Sequence, residues 1–140
     1  MNDIVYRKWA YEDIIAVAAL EKKCFSMLAD TFFNENAITV AAEQGGKLIG
    51  YGFIVTAGED ADLANIAVEE GFRRRGVAAG ILESLEQKAA SAGVRRMFLE
   101  VRVSNAAAMS LYLKRGYVGR YARPRYYGDG EDALVMEKGL

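Results

Sequence analysis

Apolar and polar positions follow two periods along the chain, and the switches between them divide it into elements. Residues Ile4 to Lys8 alternate like a short strand, and from Tyr11 the apolar positions Tyr11, Ile14, Val17, Ala18 and Phe25 fall on one helical stripe. The segment from Leu28 to Asn36 is ambiguous between the two periods and is entered as a second helix. Ile38 to Glu43 and Lys47 to Thr56 are strand-like runs joined through Gly45-Gly46, a dipeptide that tolerates positive φ, so an antiparallel hairpin is expected. Ala61 to Val68 completes a three-strand meander, with Glu59, Asp60 and Asp62 marking the turn before it. Between Arg75 and Ala92 the period becomes helical: Ala78, Ile81, Leu82, Leu85, Ala89 and Ala92 share one face, and Gly93 supplies the stop.

Met97 to Val103 returns to alternation, with Met97, Leu99, Val101 and Val103 on one face and Phe98, Glu100 and Arg102 on the other. Ser104 or Asn105 can cap a helix beginning at Ala106, and Gly116 can end it. Short strands near Tyr117 to Tyr121 and Asp132 to Lys138 finish the chain. The order β-α-α-β-β-β-α-β-α-β-β predicts a mixed α/β fold of the α+β type, and 140 residues suit one domain spanning 1–140.

Composition narrows the chemistry. The chain has no histidine, which removes Ser-His-Asp and Cys-His nucleophile systems, His-ligated metals and a histidine base together. Its one cysteine, Cys24, permits no intrachain disulfide and no thiolate metal cluster, and it reads as a small buried residue rather than a nucleophile. A reducing cytoplasm is the expected setting. The longest apolar run, Ile14 to Leu20, is far short of the roughly 18 residues of a membrane span. Eighteen basic against nineteen acidic residues leave a formal charge of -1, so bulk electrostatics draws the chain to neither nucleic acid nor an acidic membrane.

Two constellations remain. At Val68-Glu69-Glu70-Gly71-Phe72-Arg73-Arg74-Arg75-Gly76-Val77-Ala78 a strand runs into a helix through an Arg- and Gly-rich turn. The first amides of a helix lack internal partners and sit at the positive end of its dipole, so a phosphate can dock there where Gly76 and Ala78 leave clearance. A solvated arginine turn is the plainer reading of that stretch taken alone. The second constellation runs from Leu99 to Tyr112. Asn105 and Tyr112, seven apart, lie on nearly one helical face with Ala108 between them, leaving a shallow track. Glu100 interrupts an otherwise apolar strand, where burial beside Phe98 would raise its pKa toward that of a useful base. Taken alone, Glu100 reads more plainly as an edge carboxylate paired with Arg102 or Arg96, and Tyr112 as a core aromatic with a satisfied hydroxyl.

Taken together, the two constellations resemble the GNAT acyltransferases, in particular the bacterial ribosomal-protein-alanine N-acetyltransferases. Arg73-Arg74-Arg75-Gly76-Val77-Ala78 fits the family pattern Gln/Arg-x-x-Gly-x-Gly/Ala, and Asn65-Ile66-Ala67-Val68 and the run from Glu100 to Ala108 fit its flanks. Leu111-Tyr112, Gly116-Tyr117 and Tyr126-Tyr127 extend the similarity, which runs from about Leu63 to the C-terminus; the N-terminal third matches only in pattern. The resemblance implies the GNAT fold with a mixed central sheet, and acetyl-CoA as cosubstrate without a metal. It further implies that the backbone of Ile66, Ala67 and Val68 pairs with the pantetheine arm, that the amides of Arg74, Arg75, Gly76, Val77, Ala78 and Ala79 hold the pyrophosphate, and that Asn105 hydrogen-bonds the cofactor. By the same carry-over Glu100 is the general base, Tyr112 the general acid, and an amide near Val68 the oxyanion donor, with direct transfer to an amine. The implied acceptor is a protein N-terminus beginning with alanine or another small residue, such as that of a ribosomal protein. A lysine side chain or a small-molecule amine is the alternative. The alanine-specific relatives carry aromatic-Pro-Trp where this chain has Cys24-Phe25-Ser26-Met27, so the acceptor wall is expected to differ.

A non-enzymatic reading rests on the run Lys114, Arg115, Arg120, Arg123 and Arg125 interleaved with Tyr117, Tyr121, Tyr126 and Tyr127, a pattern that suits RNA or the ribosome. A solvated strand pair beside the active-site mouth is the plainer expectation, with no specific nucleic acid and no membrane among the partners.

Overall fold

The computed structural model describes residues 3–21 and 25–140. Strands β1 (Val5–Arg7), β2 (Ala37–Gln44), β3 (Lys47–Ala57), β4 (Asp60–Val68), β5 (Arg96–Arg102), β6 (Val118–Arg123) and β7 (Ala133–Gly139) form one mixed sheet in the order β1-β2-β3-β4-β5-β7-β6. Helices α1 (Asp13–Glu21), α2 (Phe25–Phe33), α3 (Val77–Ser91) and α4 (Ala106–Lys114) cover it. The expected order is therefore present, with an added 3-10 turn at Glu70–Phe72. Gly45 and Gly46, at φ 59 and 80, make the β2–β3 hairpin turn.

α3 forms the centre of one layer. Ile81, Leu82 and Leu85 are fully buried with Met97, Leu99 and Val101 of β5 and with Val40, Ile49 and Ile54 of the meander. Gly50 and Gly52 of β3 let the helix sit close: a Cβ at Gly52 would lie 2.7 Å from Ile81 Cγ2, and one at Gly50 3.1 Å from Ile81 Cδ1. On the opposite face Trp9, Ile14, Val17, Leu28, Ala41 and Tyr51 form a second cluster under α1 and α2. Trp9 is fixed there by its indole N–H, which donates to the Val40 carbonyl at 3.0 Å.

Several sequence expectations change. The stripe from Tyr11 to Phe25 is not one described helix: α1 ends at Glu21, Phe25 opens α2, and Tyr11 lies in the preceding turn, 51% exposed. The ambiguous segment is mostly helical, through Phe33. Val103 does not continue the buried face of β5; the strand ends at Arg102 and Val103 is 45% exposed. Asp60 and Asp62 lie inside β4, leaving Gly58 and Glu59 as the turn. The reading of Cys24 falls outside the described residues.

Candidate active site

The sheet is incomplete at its centre. β4 and β5 pair in parallel only at Asp60 with Arg96, Ala61 with Met97 and Asp62 with Phe98. Beyond those positions β4 continues to Val68 and β5 to Arg102 without pairing to each other. A β-bulge contributes to the divergence: the β3–β4 register shifts between Phe53 and Ile54, opposite Asn65 and Leu63, leaving Ala64 as the extra residue that bends β4.

Hydrogen-bond alternation fixes what β4 offers to this opening. The Glu69 N–H donates to the Ile49 carbonyl at 2.8 Å, so in an antiparallel ladder the main-chain groups of Ala67 face β3 while those of Val68 and Ile66 face the gap. The Ile66 N–H is taken by Asn65 Oδ1 at 2.9 Å, and the Val68 carbonyl accepts from Arg73 Nε at 3.1 Å. The Val68 N–H remains directed into the gap.

The gap leads to the start of α3. Gly76 precedes the helix at φ 77 with no side-chain cap, and Arg74 also takes a left-handed conformation at φ 63. A Cβ at Gly76 would meet no protein atom within 4 Å, so the local demand for glycine is its backbone angle. The first amides of α3 therefore face solvent uncapped, as a docked phosphate requires.

A cavity of about 890 Å³ runs along these elements. Ile66, Ala67, Val68, Arg74, Gly76, Val77, Ala78, Ala79 and Tyr112 line it, as do Phe72, Arg73, Ser110, Leu111 and Lys114, which sequence reasoning did not select. Of the implied residues, Glu100, Arg75 and Asn105 do not line it. Arg75 lies over the Phe72 ring at 5.5 Å, and Asn105 caps α4, its Oδ1 accepting the Ala108 N–H at 3.1 Å. Its spacing from Tyr112 gave the right helix face, but its side-chain oxygen is committed to the helix end.

Glu100 and Tyr112 approach the gap from opposite faces of the sheet. Glu100 alternates with the buried Leu99 and Val101 and so projects on the α1–α2 side. β5 is an interior strand, and Glu100 pairs with neither Arg96 nor Arg102. Its partner is Arg123 of β6, at 3.1 Å, and its side chain keeps 28% exposure. Tyr112 packs into the α3 layer, its ring 5.8 Å from that of Tyr117. Burial pushes the Tyr112 phenol up, and nearby Tyr127 pushes it further, so it stays protonated, as a proton donor must. Burial likewise raises Tyr127, with Arg102 pulling it down and Glu100 adding to the rise. On the α1–α2 side, Asn65 Nδ2 donates to Tyr51 Oη at 2.9 Å and to both Glu21 oxygens, at 2.7 and 2.6 Å, tying α1 to the bulge.

Three of the five cations in the basic run meet carboxylates. Arg115 pairs with Glu86, Arg120 with Glu137 and Arg123 with Glu100. Among the described residues no cluster of metal-ligating side chains occurs, and no helix is long and apolar enough to cross a membrane.

A strand edge opened beside its parallel neighbour, leading to an uncapped helix start, is the architecture of an acyl-CoA-dependent N-acyltransferase. The chain belongs to the acetyltransferase (GNAT) family, whose model matches residues 6–117 and so includes most of the N-terminal third. It is 36% identical over 105 residues to the ribosomal protein bS18-alanine N-acetyltransferase of Escherichia coli (strain K12), covering 73% of this chain and 71% of that protein. The crystal structure of the ribosomal-protein-S18-alanine N-acetyltransferase from Escherichia coli superposes with a TM-score of 0.90 at 28% identity, over 99% of this chain and 94% of that one. The Thermoplasma acidophilum PaiA N-acetyltransferase in complex with coenzyme A shares the fold, with a TM-score of 0.86 at 18% identity, over 99% of each chain. The chain is an acetyl-CoA-dependent N-acetyltransferase.

Proposed function

We propose that the chain, as one acetyltransferase domain over residues 1–140, acetylates the α-amino group of a protein that begins with alanine or another small residue, such as a ribosomal protein. The observation that carries the reading is the gap beside Val68, with Glu100 on one face and the protonated Tyr112 on the other. Similarity to enzymes named for ribosomal protein bS18-alanine supports the acceptor class.

Acetyl-CoA supplies the acyl thioester. The amides from Arg74 to Ala79 hold the pyrophosphate, while Ile66 and Val68 present their main chain to the pantetheine arm as a neighbouring strand would. Of the implied set, Ala67 contributes wall rather than hydrogen bonds, and Arg75 and Asn105 support the loop and the helix start around it. Glu100 takes the proton of the attacking amine, directly or through a water, as the new N–C bond forms. The Val68 N–H donates to the carbonyl oxygen as charge grows there. Tyr112 gives its proton to the sulfur as the C–S bond breaks, so the proton lost by the amine and the one gained by the thiolate balance.

An α-amine, with a reference pKa of about 8 against about 10.4 for lysine, needs less help from a carboxylate base. The single cysteine, which permits no intrachain disulfide, favours action in a reducing cytoplasm. The test is the ratio of kcat/KM for a peptide with free N-terminal alanine to that for the same peptide N-blocked and carrying lysine. A ratio above one supports the α-amine; one below overturns it in favour of a side-chain amine.

A further inference from the structure

The loop between β6 and β7 follows directly on Arg123, the ion-pair partner of Glu100, yet little apolar burial holds it: Tyr126 is 47% exposed, and its neighbours are mostly exposed as well. Much of its anchoring comes from one cation. Arg102, the last residue of β5, donates from Nη1 to Asp129 Oδ2 at 2.8 Å and to Glu131 Oε1 at 3.0 Å, and its guanidinium carbon stands 4.0 Å from the Tyr127 ring centroid. Glu131 in turn accepts the Ser104 N–H at 2.9 Å, which ties the same loop to the start of α4. From Tyr127 the contacts lead back to Glu100: its ring meets that of Tyr126 edge-on at 5.0 Å, Arg123 lies over Tyr126 at 5.1 Å, and Arg123 reaches Glu100 at 3.1 Å.

We infer that Arg102 is a positioning residue of this site, a clamp that locks the β6–β7 loop onto the end of β5 and holds Tyr127 against Tyr126, and so Arg123 against Glu100. The inference rests on the proposed transfer to an amine. Arg102 acts through Tyr127 and the loop. A planar guanidinium can stack on a ring while donating in its own plane to two carboxylates, which an ammonium cannot reproduce. Partly exposed ion pairs of this kind contribute little to global stability, so a merely structural role would leave turnover nearly untouched.

The test uses the full chain with Arg102→Lys, and separately the double change Asp129→Asn with Glu131→Gln, which removes the same clamp from its other side. Both should speed hydrogen exchange of amides 125–132 and lower kcat/KM for the alanine peptide by about tenfold, with acetyl-CoA affinity and melting temperature near the parent values. In a Tyr127→Ala background, Arg102→Lys should cost little more, because the two changes disable one device. Parent-like exchange and turnover in both variants would overturn the inference, as would an undiminished loss in the Tyr127→Ala background. If the unsubstituted protein acetylates no amine, the proposed function fails, and the exchange measurement alone decides the clamp: unchanged protection of 125–132 refutes it.

Discussion

Arg123 reaches across β7 to bring its guanidinium within 3.1 Å of the Glu100 carboxylate, joining β6 to β5 on the face opposite α3. At 46% and 28% side-chain exposure the pair contributes little to stability. Its consequence is local: an incoming amine meets a carboxylate already oriented from one side, and must share it with or take it from Arg123.

Removing that carboxylate, or the phenol across the gap, should separate chemistry from binding. Glu100→Gln and Tyr112→Phe preserve shape and should each lower kcat by about 100- to 10,000-fold. Acetyl-CoA affinity should stay at the parent value. Thiol release at saturating substrates, on proteins shown to be folded, checks this. Retention of more than roughly half the parent rate by both variants would remove the assigned roles.

Gly76→Glu should abolish acetyl-CoA binding. A non-glycine residue at φ 77 is strained, by roughly 1–2 kcal/mol, and the new carboxylate would stand where the helix start offers its amides to an anion. Gly76→Ala, which carries the strain alone, should weaken binding far less. Calorimetry with and without chelator measures both and also reads metal dependence; equal affinity for the parent and Gly76→Glu would refute the phosphate assignment.

Gly52→Ala should destabilise the fold by about 1–3 kcal/mol, because its methyl would press on Ile81, which is fully buried. A lower urea midpoint at unchanged slope is the expected signature. Combining it with Ile81→Ala, which removes the Cγ2 methyl that the new Cβ meets, should cost less than the sum of the two separate losses; strict additivity would count against contact between them.

Acid sensitivity should centre on Asp13. Burial pushes its carboxyl up, but the Arg7 hydrogen bonds at 2.6 and 3.0 Å and the Ala10 amide outweigh that, leaving it below the usual carboxylate range. A carboxylate depressed in the folded state contributes stability above its unfolded pKa of about 3.9, and that contribution disappears as pH falls through the folded value. Arg7→Met raises the folded value and should move acid unfolding to higher pH by circular dichroism. Coincident acid midpoints would show that the pair plays no such part.

Where one face of an element is buried and the other wet, the sequence is readable. α3 and the meander announce themselves because Ile81, Leu82 and Leu85 repeat at helical spacing against strands that alternate. α2 is obscure because Met27 and Phe33 are apolar yet 55% and 70% exposed, which blurs its stripe. The glycine turn before α3 and the base and acid candidates were within reach through the resemblance of local motifs. The partner of Glu100 was not, since Arg123 lies 23 residues away and meets it only because β7 returns between β5 and β6. Asn105 was legible both as a cap of α4 and, through the resemblance, as a ligand contact; its side-chain oxygen makes the cap, accepting the Ala108 N–H. Lys114 drew notice only as part of the basic run and Ser110 only as part of the motif around it; both reach the cleft by helical phase.

Only three ladder pairs join β4 to β5, so the sheet divides into two panels that meet at Asp60–Asp62, with a seam standing open toward Val68. A cosubstrate threaded into that seam would act as a rivet, and its contribution grows with its concentration, reaching about 2.7 kcal/mol at a hundredfold excess over Kd. The melting temperature of this protein would then serve as a gauge of acetyl-CoA supply, with the idle enzyme the more fragile form.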